Sequence, residues 1–222
     1  MDAALVRITA LKVQLRDKSR VNVFVDGKYS FSLDATQVID LGVRTGNEYS
    51  EAEFTQLLEE SQFGKLYTRS LEYVLVRPRS QRELRDYLYR KTRDTRTKEG
   101  LVKKGVTKEL TVRVFDRLLE KGYLDDEKFA RFWVENRNMR KGSSMRKLQS
   151  ELMAKGVESS IISQVIESSE RNDDEELQKI IAKKAVRYDD EKKLIAYLMG
   201  QGFSYSQVRS ALTDIQQEAI DD

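Results

Sequence analysis

The residues best suited to catalysis are three acidic runs, Asp125-Asp126-Glu127, Asp173-Asp174-Glu175 and Asp189-Asp190-Glu191. Clustered carboxylates of this kind are what a divalent-metal nuclease gathers around its ion. That chemistry needs them to converge on one point. Each run instead precedes a stretch of apolar periodicity, where helix caps and partners for the helix dipole belong, so capping is the role we expect. The chain has no histidine and no cysteine, which removes imidazole acid–base chemistry, thiol nucleophiles, disulfides and soft-metal sites together. It contains neither G-x-x-x-x-G-K-[ST] nor G-x-G-x-x-G, the phosphate-cradling loops of nucleotide hydrolysis. No cofactor, no metal and no enzymatic activity are expected.

The basic residues carry the stronger signal. Net charge is only +3, yet residues 77–147 hold 22 Lys and Arg against 11 Asp and Glu, while 1–76 hold 9 against 11 and 148–222 hold 9 against 15. An excess confined to the middle third is the footprint of a surface that meets a polyanion. Within it, Arg77, Arg79, Arg82 and Arg85 lie on or just before one helix, and Arg137, Arg140, Lys141, Arg146 and Lys147 flank a break before another. Arginine suits sites that hold phosphate or carboxylate through two bonds. The ridge would meet phosphates or acidic protein lobes, and the residue types do not decide between them. Tyr123, Phe129, Phe132 and Trp133 could stack on bases. At helical spacing, Phe129, Phe132 and Trp133 read instead as the packing centre of a helical unit. Tyr87 and Tyr89 cannot share a core face, being two apart, and Tyr89, among Arg85, Arg90 and Lys91, is the better exposed contact.

The elements that position these residues begin with strands. Val21, Val23 and Val25 alternate with Asn22, Phe24 and Asp26, Asp26-Gly27 signals a two-residue hairpin, and Tyr29, Phe31 and Leu33 continue the alternation. Residues 5–11 predict a third strand. Asp34 caps a short helix ending at Gly42. A sheet this small is near the limit of independent stability and is expected to lean on the helical part. From Ser50 onward only helix is expected. Ser50 with Glu53 and Ser80 with Glu83 have capping-box spacing. Leu66, Leu71, Val74 and Leu75 carry the first helix, Pro78 breaks it, and Leu84 and Leu88 form the next seam. Leu5-Val6 opens no long apolar run, so neither signal peptide nor membrane span is expected, and a cytoplasmic location is.

An internal repeat organises the helices. Leu148, Leu152 and Gly156 match Leu194, Leu198 and Gly202, and Ile162 and Ile166 match Val208 and Leu212. Leu84 and Leu88 begin a third copy that resumes at Lys104-Gly105-Val106, so a polar, basic insertion occupies 92–104. The fold class is mainly α: three tandem three-helix repeats forming an elongated, curved array, preceded by a small β-rich extension. The expected boundaries are 1–49 for the extension and 50–121, 122–170 and 171–222 for the repeats.

Three segments carry a family resemblance: GYLDDEKFARFWVENR at 122–137, RKLQSELMAKGV at 146–157 and RPRSQRELRDYL at 77–88. Together they resemble the RecX family of bacterial regulators, whose R-S-x-x-E-L element the third segment follows. The chain departs in lacking a second glycine near Ser144 and in the insertion after Leu88. The resemblance implies a non-enzymatic regulator, and it suggests a monomer. It also implies a partner, the RecA recombinase assembled on single-stranded DNA, in DNA repair and the SOS response. Relatives lie in the groove of that filament and restrain its extension, ATP hydrolysis, strand exchange and co-protease activity. Direct contact with DNA is open, as is inhibition against activation. The alternative reading is a general DNA-binding helical module independent of RecA; a third is a structural adaptor for another protein.

Overall fold

A computed structural model describes residues 5–137, 142–188 and 190–221. Four short strands open the chain: β1 (Val6–Val13), β2 (Arg20–Val25) and β3 (Lys28–Asp34), then, after helix α1 (Ala35–Asp40), β4 (Glu48–Tyr49). They form one antiparallel sheet in the order β3-β2-β1-β4. Asp26 and Gly27 both take positive φ, 49° and 73°, the geometry of a type I′ turn whose twist matches the strands it joins. Asp34 caps α1 through a full capping box with Gln37. The expected strands and cap are present, with β4 as an addition too short to carry an alternation signal.

The helical part follows as α2 (Glu51–Leu75), α3 (Gln81–Lys91), α4 (Lys108–Glu120), α5 (Asp126–Asn136), α6 (Met145–Ala154), α7 (Ser159–Glu167), α8 (Asp173–Lys184), α9 (Glu191–Gly200) and α10 (Tyr205–Asp221). The protein is mostly helical behind a small antiparallel sheet. One expectation fails here. Helix alone is expected from Ser50 onward, but within the insertion β5 (Thr95–Arg96) and β6 (Val102–Lys103) pair as a hairpin. Two-residue strands leave no periodicity to read.

The chain divides into two compact units. One holds residues 1–77 and 85–123. In it Ile8, Val23, Phe31 and Leu33 of the sheet bury against Leu57 of α2, with Phe54 and Leu58 at the margin, and Ser61 donates to the Ser32 carbonyl at 2.8 Å. The sheet therefore does lean on a helix. Leu66 and Val74 of α2 are buried, but Leu75 and Val76 are 63% and 79% exposed. The buried face of the helix has turned away before its last residues.

The other unit holds residues 78–84 and 124–222. Two cores are formed by its described residues. Phe129, Ala130 and Val134 of α5 meet Leu148 and Leu152 of α6 and Ile162 and Val165 of α7. Leu177, Ile180 and Ile181 of α8 meet Leu194 and Leu198 of α9 and Val208 and Leu212 of α10. Phe132 is corrected by this packing: it is half-buried, and Ala130 and Val134 occupy the inner face beside Phe129, with Trp133 partly buried at the edge.

Candidate partner-binding surface

The acidic runs act at helix starts, with changes of detail. Asp125 caps α5 by accepting the Lys128 N–H at 3.0 Å, and Asp190 caps α9 through the Lys192 N–H at 2.9 Å. Asp189 lies outside the described residues. In the middle run the cap is Asn172, which accepts the Asp174 N–H at 2.8 Å. Asp173 is turned to another helix: it accepts the Met145 N–H, the first of α6, at 2.7 Å. Asp126 does the same for α3, accepting the Gln81 N–H at 2.9 Å. Among the described residues no cluster of carboxylates could hold a metal ion.

These two bonds belong to a repeated clasp. At the start of α6, Ser144 donates its N–H to the Gln201 carbonyl (3.1 Å), and Lys147 Nζ donates to the Gly200 carbonyl (2.9 Å) and to Gln201 Oε1 (3.0 Å). At the start of α3, the Ser80 hydroxyl donates to the Lys155 carbonyl (2.8 Å), and Lys155 Nζ donates to Glu83 Oε1 (2.8 Å). Lys155 and Gln201 both end the second helix of a set, so each clasp satisfies carbonyls that a helix end leaves open. Burial pushes the Asp173 carboxyl above its usual range, Asp174 and Glu176 adding to the effect, while the Met145 N–H and Arg171 oppose it. The sequence signal was available in the spacing of Ser80, Ser144, Asp126 and Asp173, but not which helix each would reach.

The clasps reassign several basic residues. The Lys147 ammonium is held by the end of α9, and Arg79 stands 4.0 Å from the nearly buried Glu83. Arg137 donates through Nε and Nη2 to the two Glu151 oxygens at 2.9 and 3.3 Å, beside the Trp133 indole, which donates to the same carboxylate at 2.9 Å. Arg171, which periodicity did not single out, donates to the Val134 and Arg137 carbonyls at 2.8 and 3.1 Å and to Glu176 at 2.9 Å. These arginines build the fold. Arg77 is half-buried, the Arg85 guanidinium covers the Phe115 ring at 4.4 Å, and Arg140 and Lys141 lie outside the described residues.

Two of the basic residues singled out remain exposed with no side-chain partner among the described residues, Arg82 and Arg146. They hold one register position, two before the first seam leucine of their helix. Lys192 holds the same position in α9, two before Leu194, and is exposed likewise. The stem of Arg82 lies over Gly156. A cation in the first turn of a helix opposes its dipole by about 0.3–1 kcal/mol, so three such placements gain the helices nothing.

The amino-acid sequence matches the model of the regulatory protein RecX N-terminal domain over residues 6–49 and that of the RecX second three-helix domain over 125–166. It is 28% identical to regulatory protein RecX of Bacillus licheniformis over 96% of this chain and 79% of that one. It is 27% identical to that of Bacillus subtilis over 97% and 79%, and 27% identical to that of Clostridium tetani over 94% of each. A crystal structure of regulatory protein RecX has the same fold, with a TM-score of 0.63 at 21% identity over 92% of this chain and 99% of that one. RecX from Lactobacillus salivarius gives 0.51 at 18% identity over 70% and 97%.

Proposed function

This chain belongs to the RecX family of regulatory proteins, and we propose that it regulates RecA by binding the RecA filament on single-stranded DNA. It takes each set of three helices as one repeat, α2–α4, α5–α7 and α8–α10. It lies in the filament groove and restrains extension, ATP hydrolysis, strand exchange and co-protease activity, without catalysis of its own.

The observation that carries this reading is the register of Arg82, Arg146 and Lys192. An exposed cation at one position of the second helix in each successive set suits a partner whose anionic sites recur, as those of a filament do. Individual contacts can then be weak, because joined contacts multiply through effective concentration.

The test is a titration of RecA's DNA-dependent ATPase. Substoichiometric protein slows hydrolysis, and the triple variant Arg82→Glu, Arg146→Glu, Lys192→Glu needs at least tenfold more protein for the same effect while its helical circular dichroism is unchanged. Unaltered hydrolysis at a molar excess of the unmodified protein removes RecA as the partner. Binding to bare DNA that equals binding to the filament favours the general nucleic-acid module instead.

A further inference from the structure

The unit holding residues 1–77 and 85–123 has a cleft of about 640 Å³ between α2, the end of α3 and the inserted hairpin. Twelve residues line it, of which seven are basic and none acidic. Lys65 and Arg69 sit one turn apart on α2, Arg90 and Lys91 close α3, and Arg93 and Lys103 come from the insertion. Lys104, the seventh, is paired with Asp94 at 2.8 Å. The other six have no ion-pair partner among the described residues.

Like charges held this close repel, and they do so within the reach of physiological screening. Lys65 registers the repulsion: its ammonium is held below the usual lysine range, by burial first and then by Arg20, Arg69 and Lys103. The hairpin is nevertheless fixed in place. Val106 donates its N–H to the Lys91 carbonyl at 3.0 Å, Gly105 donates to Asp94 at 3.0 Å, and a side chain at Gly105 would strike the Thr92 carbonyl. The insertion thus adds cations to a cleft that already has an excess of them, on an anchored frame.

We propose that this cleft binds the phosphodiester backbone of a nucleic-acid strand. A strand carries one negative charge on every nucleotide. An extended acidic peptide points alternate side chains in opposite directions, so only every second carboxylate could enter. Protein partners also need a central apolar anchor, whereas Leu66 and Val106 are the apolar side chains in this lining, and Leu66 is buried. Phosphates match both the number of cations and the lack of an anchor. The site is separate from the register of Arg82, Arg146 and Lys192, and it does not depend on RecA.

The experiment follows fluorescence anisotropy of a labelled oligothymidylate with the full-length chain and no RecA, over a range of salt. The variant Lys65→Gln, Arg69→Gln, Arg90→Gln, Lys103→Gln binds at least tenfold more weakly, and its salt slope is smaller by about 2–3, at roughly 0.7 per phosphate contact on a single strand. Circular dichroism and melting confirm its fold. If it melts early, the two double variants, Lys65→Gln with Arg69→Gln and Arg90→Gln with Lys103→Gln, each lower the slope by about half as much. Equal affinity and slope with and without these cations overturns the proposal. So does no binding by the unmodified chain, or displacement of the oligothymidylate by polyglutamate at equal charge, which would make the ligand an acidic protein segment. A chain that slows the RecA ATPase but fails here loses the cleft and keeps the regulatory reading, and the reverse result separates the two equally well.

Discussion

At the scale of single residues, the arginines divide by what stands beside them. Arg137 has a carboxylate within hydrogen-bond reach and a ring under its guanidinium, so its charge is consumed inside the fold. Arg82 and Arg146 have neither and can be offered to a partner. Glu151 is the decisive neighbour, because it accepts from both Arg137 and the Trp133 indole. Glu151→Ala removes the acceptor that Arg137 and Trp133 share at a partly buried site and lowers stability by about 1–3 kcal/mol. A lower denaturant midpoint at an unchanged slope reports this, and the emission of Trp133, the chain's one tryptophan, shifts to the red. An unmoved midpoint would mean that the three side chains do not hold one another.

At the scale of elements, the clasp makes a helix start depend on a carboxylate from another helix. Asp173→Ala leaves the Met145 N–H unpaired and costs about 1–3 kcal/mol. Asp173→Asn keeps an oxygen acceptor and removes the charge. Burial raises the folded-state pKa of Asp173 above 3.8, so the native state disfavours its ionised form. The unmodified protein is then at its most stable, as far as this group is concerned, below the unfolded value, and it loses that contribution as pH rises through the folded one. The Asn variant accordingly gains on the unmodified protein at neutral pH, and its advantage disappears on acidification through that window. An advantage that grows on acidification would contradict the burial argument. The same element shows what could be read beforehand. Strand alternation at Val21 to Leu33, the Asp26-Gly27 turn, the caps at Asp34, Ser50 and Asp125 and the seams at Leu84, Leu88, Leu148, Leu152, Leu194 and Leu198 are local, and they were legible. The partners of Asp126, Asp173 and Arg171 are set by packing between helices, which spacing along the chain does not encode. The basic surface was legible as an excess of charge in 77–147, but not in its parts, because pairing to Glu83, Glu151 and the end of α9 decides which cations remain exposed.

At the scale of the molecule, separate cores set how the structure comes apart. The cores of α5–α7 and α8–α10 share no buried residue, and they are joined by the bonds of Ser144, Met145 and Lys147 and by Arg171. In a chain of stacked repeats, stability is the sum of what each repeat holds and what each junction adds. Leu198→Ala empties part of the α8–α10 core, a change of about 2–5 kcal/mol. That exceeds what a few junction bonds restore at about 0.5–1.5 kcal/mol each, some of which are lost with the helix end they hold. The terminal set therefore melts first in this variant. Helical circular dichroism falls in an early step, while Trp133, packed against the α5–α7 core, keeps the midpoint of the unmodified protein. A single transition, in which dichroism and Trp133 fluorescence move together, would show instead that the junction is strong enough to make the two cores one cooperative body. Regulation through successive weak contacts would then have to act on that body as a whole.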